Sequence, residues 1–324
     1  MSPNLAGRWQ KLLSSQNLAA QAAALIAGRW VEDGFRFLLL LWLARVSPSG
    51  FGLFMFGAGV SYLLRALLVL GFEQFTIREL TGGAQVRESL LGQMLRLKSL
   101  IGLTALGGIL AFGWLHGWNR TEILVVLIVS AGKVIDCLAE TLFSYYRYAG
   151  RQVKEAACSV KAALLGALYG VTAFFVGGGV LAVSWFVVVS SGLKILLAAM
   201  MGRREGLLPP IRAFGPLLPA QRLGALLVVV AVSFLGSFYN QVQILLLRYF
   251  TALEEIARYG VVVELAGGLA SLISALVIGG VLYPALAKHA ARGPAHLAAL
   301  LGPHFWRLAA LGLGIAFFFA TLGP

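Results

Sequence analysis

The chain has 324 residues, 59% of them hydrophobic and 12% charged, with a mean hydropathy of +0.86. A soluble domain of this length carries about twice that charged fraction, so composition excludes a soluble globular protein and leaves no room for a sizeable soluble domain. The net charge of +13 reads as loop anchoring in a membrane rather than nucleic-acid binding, and Cys137, Cys158 and the four histidines lack disulfide or metal spacing, so no metal or cofactor is expected.

At about 20 residues per crossing, the apolar runs predict an all-α polytopic membrane protein with about nine transmembrane helices. The expected spans are 23–46, 51–72, 97–115, 122–146, 155–177, 179–201, 223–248, 258–284 and 304–322. The first is too long and too charged for a cleavable signal. It carries Arg29, Glu32, Asp33 and Arg36 at i, i+3, i+4 and i+7, which places all four on one helical face. Charge at such depth costs from a few up to about 10 kcal/mol per group unless it is paired or faces water. A single stripe therefore points into a bundle or an aqueous cavity, and a transport path is the first idea to test.

The turn Ser47-Pro48-Ser49-Gly50 leads into the second span, which contains Arg65. Residues 73–98 mix apolar and basic side chains and read either as a surface-lying amphipathic segment or as a solvated loop. The fourth span holds a second stripe, Lys133, Asp136 and Glu140, at i, i+3 and i+7. The fifth and sixth, with Lys161 and Lys194, are separated only by Gly177-Gly178-Gly179. Residues 207–221 offer the same two readings as 73–98. Arg248 and Glu264 sit on the seventh and eighth spans, at the other end of the expected cavity.

Breakers alternate with basic loops, giving a series of helical hairpins. On one side fall Arg8 and Lys11; Arg78, Arg87, Arg96 and Lys98; Arg147, Arg151 and Lys154; Arg203, Arg204, Arg212 and Arg222; Lys288 and Arg292. Few basic residues fall opposite, so the positive-inside rule puts the N-terminus in the cytoplasm. Phe51-Gly52 and Tyr259-Gly260 open the second and eighth spans after similar connections, a faint sign of duplication. The expected division is a six-helix bundle over 1–206 and a partial second bundle of about three helices over 207–324.

Across the first, second and fourth spans, Arg29, Arg36, Arg65 and Lys133 balance Glu32, Asp33, Asp136 and Glu140, which favours a paired network over a simple positive funnel. Two readings of the arginines stand. Their planar forks suit bidentate recognition of a phosphate, or they are internal salt bridges that lock helices together. The carboxylates are either a coupling-ion site or the partners of those arginines. Lys161 and Lys194 either join the interior or snorkel to the surface. Asn119-Arg120-Thr121 matches a glycosylation sequon by chance, Gly166-x3-Gly170 reads as a close helix contact, and Trp42, Trp114, Trp118 and Trp306 read as an interfacial belt. No nucleotide-binding loop, nucleophile elbow or metal motif is present, so an enzyme is not expected.

Several stretches carry a family resemblance. Leu43-Ala44-Arg45-Val46-Ser47-Pro48-Ser49-Gly50-Phe51-Gly52-Leu53-Phe54 resembles the first hairpin of polysaccharide exporters. Gly71-Phe72 with Ile77-Arg78-Glu79-Leu80, Tyr146-Arg147-Tyr148-Ala149-Gly150-Arg151, and Ala257-Arg258-Tyr259-Gly260 leading to Val281-Leu282-Tyr283-Pro284-Ala285-Leu286-Ala287 look like the same branch. That branch is the O-antigen and lipid-linked oligosaccharide flippases of the multidrug/oligosaccharidyl-lipid/polysaccharide (MOP) superfamily.

The resemblance implies two helical bundles around a V-shaped cavity and alternating access that flips an undecaprenyl-pyrophosphate-linked oligosaccharide across a bacterial inner membrane. Membrane lipids, and a polysaccharide polymerase or glycosyltransferases, would be its partners. It implies cationic cavity residues at Arg29, Arg36, Arg65 and Arg248; the reading of the residues themselves adds Lys194 to that candidate substrate site and gives Glu32, Asp33, Lys133, Asp136, Glu140 and Glu264 as ion-coupling or charge-network residues. Family members have twelve or fourteen spans, so with about nine the second bundle is expected to be incomplete. Two rivals remain: a cation or drug exporter of the same superfamily, and a non-transporting scaffold in a glycan assembly complex.

Overall fold

A computed structural model of the protein describes residues 15–68, 72, 76, 84–208, 220–274, 310 and 313. Among the described residues the regular elements are all helices: α1 (Ser15–Val46), α2 (Pro48–Leu68), α3 (Ala84–Leu115), α4 (Arg120–Tyr148), α5 (Gln152–Ala173), α6 (Gly179–Arg204), α7 (Ala220–Phe250) and α8 (Leu253–Ser274). These fall on the first eight expected spans. The ninth, 304–322, lies outside the described residues apart from Ala310 and Leu313. The chain divides into two compact units, residues 27–266 and residues 1–26 with 267–324, and the contacts that position the charged side chains lie within the first.

Among the described residues, three stretches are long and apolar enough to cross a membrane: Pro48–Leu68, Ser89–Leu115 and Gln152–Arg204, the last containing both α5 and α6. Helix α4 is less apolar for a definite reason. Every eighteen-residue window in it holds Lys133 and Asp136 together with Glu122 or Glu140. Those charges are tolerated because α4 is the hub of the bundle, packed against α2, α3 and α6.

Local chemistry sets the helix ends. Asn119 caps α4: its Oδ1 accepts from the Glu122 amide at 2.8 Å, while the Glu122 carboxylate accepts from the Asn119 amide at 3.0 Å. This reciprocal pair satisfies two amides that the first helical turn leaves without partners, and it gives the Asn119-Arg120-Thr121 stretch a structural role. Between α5 and α6 the chain makes one wide turn over Phe174–Gly178, then reverses through Gly177 at φ 90° and Gly179 at φ 57°. Only glycine enters that region without steric cost, and the expected Gly177–Gly179 turn falls there.

One expectation needs correction. Helix α3 starts at Ala84 rather than near residue 97, so the second half of the segment read as a surface piece or solvated loop is continuous helix. Leu90, Leu91 and Met94 are buried against Phe143 and Tyr146 of α4, and this apolar packing extends the helix.

The core has an ordered depth profile. Near the short turns at Ser47, Trp118, Phe174 and Leu253, a cluster gathers Leu43, Phe51–Phe56, Val125, Val129, Val183 and Ile256. At the opposite end, Leu90, Met94, Phe143, Tyr146, Cys158 and Ala198 form a second cluster. The middle of α1, α4 and α6 lies between them, and there the ionisable side chains concentrate. Outward faces are apolar and exposed, as at Leu103, Leu110 and Trp114 of α3 and Leu165 and Leu168 of α5, the pattern of helices facing acyl chains.

Candidate functional site: an ionic layer between two apolar clusters

The two stripes read from the sequence meet. Lys194 of α6 donates to Glu32 Oε1 of α1 at 2.6 Å and to Asp136 Oδ1 of α4 at 2.7 Å. Lys133 donates to the other oxygen, Asp136 Oδ2, at 3.1 Å. One turn further along α4, Glu140 accepts from Arg147 Nη2 at 2.7 Å and from Arg29 Nη2 of α1 at 3.4 Å. Arg147 Nε also reaches both carboxylate oxygens of Glu155 on α5, at 3.1 and 2.9 Å, and its Nη2 donates to the same group. The layer thus ties α1, α4, α5 and α6 through charge-assisted bonds, each roughly twice as strong as a neutral one.

A third group stands beside it. Arg36 Nη1 donates to the Tyr62 hydroxyl of α2 at 3.0 Å, and the Lys133 ammonium lies 5.7 Å from the centre of the Tyr62 ring. Arg65, one turn below Tyr62 on α2, feels the charges of Asp136 and Glu140 without an ion-pair contact among the described residues.

Of the residues singled out from sequence, Arg29, Glu32, Arg36, Lys133, Asp136, Glu140 and Lys194 are brought together, with Arg65 alongside. Lys194 takes the interior alternative and Lys161 the exposed one. Asp33 is exposed at the edge of the α1 stripe. Arg248 stands apart, near the short turns, paired with Glu122. Glu264 lies in α8, with its side chain outside the described residues.

Four inward-facing polar side chains escaped the sequence reading. Arg147 and Lys98 count as loop charges by position, yet both turn inward. Lys98 is fully buried, donates to the Cys137 carbonyl at 3.1 Å and lies 5.5 Å from the centre of the Phe72 ring. Arg147 follows Glu140 by seven residues and so shares its face, a signal the spacing carried. Glu155 and Tyr62 had no such signal, because each gains its partner only when helices pack.

The molecule so described is a multi-pass helical membrane protein with a paired ionic layer inside it. No protein-family model matches the sequence, and no curated protein matches it. Solved structures do share its fold. One is an outward-facing multidrug resistance MATE family transporter of the MOP superfamily, with TM-score 0.57 and 15% identity over 96% of this chain and 75% of that one. Another is a MATE in complex with Br-NRF, with TM-score 0.55 and 17% identity over 83% and 67%. A third, named only protein A, has TM-score 0.61 and 15% identity over 83% and 66%. The chain therefore has the fold of MATE transporters of the MOP superfamily and spans about two thirds to three quarters of the length of these structures.

Proposed function

We propose that this protein is an alternating-access transporter that flips a pyrophosphate-linked, lipid-anchored oligosaccharide across a bacterial inner membrane, with its N-terminus in the cytoplasm. One observation carries the reading: Arg65 stands beside the ionic layer with no ion-pair contact among the described residues. Glu32, Glu122, Asp136, Glu140 and Glu155 each accept from at least one cation. Helices α1 to α4, α6 and α7 bring in Arg29, Arg36, Arg65, Lys98, Lys133, Arg147, Lys194 and Arg248. Of these cations, Arg65 has no carboxylate in contact among the described residues.

The physical logic is that sugars and pyrophosphate must avoid hydrocarbon while the polyprenyl tail stays in it. A polar interior lets the head group pass, and guanidinium forks suit the pyrophosphate oxygens. The salt-bridged carboxylates then hold helices in register and release cations as the bundles rock. Glycosyltransferases and a polymerase on the membrane faces would supply and consume the substrate.

A second reading has its own support. The structural neighbours include a multidrug resistance transporter, and Asp33 is an exposed carboxylate with no ion pair among the described residues, suited to an organic cation.

Full-length protein in proteoliposomes separates the two. With a fluorescent undecaprenyl-pyrophosphate glycan, dithionite quenching reads flipping, and Arg65→Gln is expected to slow it about tenfold, the loss of one charge-assisted contact. Unchanged flipping in Arg65→Gln, with cationic-dye efflux abolished by Asp33→Asn, would overturn the glycan reading in favour of the drug reading.

A further inference from the structure

Helices α7 and α8 form a hairpin through the short turn at Thr251 and Ala252, and this hairpin closes directly onto α2. At Gly52 the approach is backbone to backbone, and at Gly260 and Gly59 it is backbone to side chain. A Cβ built on Gly52 would stand 1.9 Å from the Leu253 carbonyl oxygen, one on Gly260 2.7 Å from Met55 Cγ, and one on Gly59 3.1 Å from Ile244 Cγ2. Three glycines therefore let the hairpin sit flush, and Ile244, Ile256 and Ala257 join the same apolar cluster as Phe51–Phe56.

Among the described residues, one ion pair crosses this seam, from Arg248 Nη2 of α7 to Glu122 Oε1 of α4. Glu122 is a prepared anchor. Its other oxygen, Oε2, accepts from the Asn119 amide and closes the α4 cap. One carboxylate thus holds the helix start with one oxygen and the hairpin with the other. The pair can break without unravelling α4, because the cap does not depend on Arg248. On the other side, Arg248 Nε is buried without a hydrogen-bond partner, so the guanidinium is incompletely satisfied in the closed arrangement.

We propose that Glu122–Arg248 is a releasable latch that keeps the α7–α8 hairpin shut against α2 and α4, and that its opening admits water to this end of the bundle. The inference rests on the transporter reading for its purpose. Its geometry stands independently of any substrate. The apolar residues of the seam shield Glu122, whose side chain is 8% exposed, and strengthen the ion pair. Once water enters, the pair is screened and the two halves separate together.

The test is a distance measurement on the full chain in lipid nanodiscs, with spin labels at Ser49→Cys and Ala252→Cys, both exposed sites flanking the seam. Cys137 and Cys158 remain as they are, being buried. Glu122→Gln keeps a side chain competent to cap the helix and removes only the charge, so the population with a longer distance is expected to grow about tenfold relative to the parent. Arg248→Gln is expected to match it, and Arg248→Lys to return the short distance. Gly52→Ala, whose methyl would collide with Leu253, is expected to open the seam with the ion pair residues intact. Parent-like distances in both glutamine variants would overturn the latch. So would loss of folded protein with no longer distance, since that outcome describes a static brace. Because no substrate is present, failure of glycan flipping would leave this result untouched.

Discussion

Methionine in place of Lys194 keeps most of the lysine's apolar stem but removes the ammonium that Glu32 and Asp136 share at 2.6 and 2.7 Å. The site is shielded, with the Lys194 side chain 7% and the Asp136 side chain 12% exposed. Removing one member of a buried ion pair strands the other and costs about 3–5 kcal/mol. Two features pull towards the low end: Asp136 keeps Lys133 at 3.1 Å, and the Glu32 side chain is 28% exposed. The expected loss is therefore about 3 kcal/mol. Neutral interhelical hydrogen bonds in membranes average only about 0.6 kcal/mol, because the unfolded chain in lipid finds other partners. The two magnitudes are far enough apart for one experiment to decide between them. Reversible SDS unfolding of the full chain in mixed micelles gives the stability of Lys194→Met and of Lys194→Met with Glu32→Gln. The second variant removes the stranded charge and is expected to recover about 1–2 kcal/mol. A single-variant loss under about 1 kcal/mol, or no recovery in the double variant, would refute the view that the layer's charges are mutually dependent.

Arg147→Ala should destabilise by about 2–4 kcal/mol in the same titration, since it abandons Glu155 and leaves Glu140 only the longer contact to Arg29. Exposed Arg151→Ala, four residues on, should stay within about 0.5 kcal/mol, and equal effects would refute the inward placement of Arg147. Gly132→Val should cost about 1–3 kcal/mol and lower the yield of monodisperse protein in size-exclusion chromatography, because even a Cβ there would stand 2.9 Å from the backbone of Val187 and Val188. A parent-like profile would show that α4 and α6 are not in backbone contact.

Helix positions and the charged stripes were legible because both depend on periodicity along one chain. Arg29 to Arg36 and Lys133 to Glu140 each repeat at helical spacing within an apolar background, and burial of an unpaired charge is costly enough that the stripe must face inward. The same reasoning misjudged Arg147 and Lys98. Counting loop charges treats a basic residue near a helix end as solvated, whereas Arg147 turns back to Glu140 and Lys98 to the Cys137 carbonyl. It also set the start of α3 too late, since Leu90 and Met94 look like a surface segment until α4 is there to cover them. The Glu122–Arg248 pair joins residues 126 positions apart, beyond the reach of any spacing rule.

Sequence by itself determined the membrane character of this chain, where its eight described helices run apart from the start of α3, and which faces of α1 and α4 carry charge, because hydropathy and helical period are local properties. Tertiary structure alone decided which cation meets which carboxylate across helices. Lys194 could have snorkelled, Arg147 could have met water, and Glu122 could have served only as a cap. The partners of an ion pair between helices are chosen by packing depth and crossing geometry, which no single helix contains.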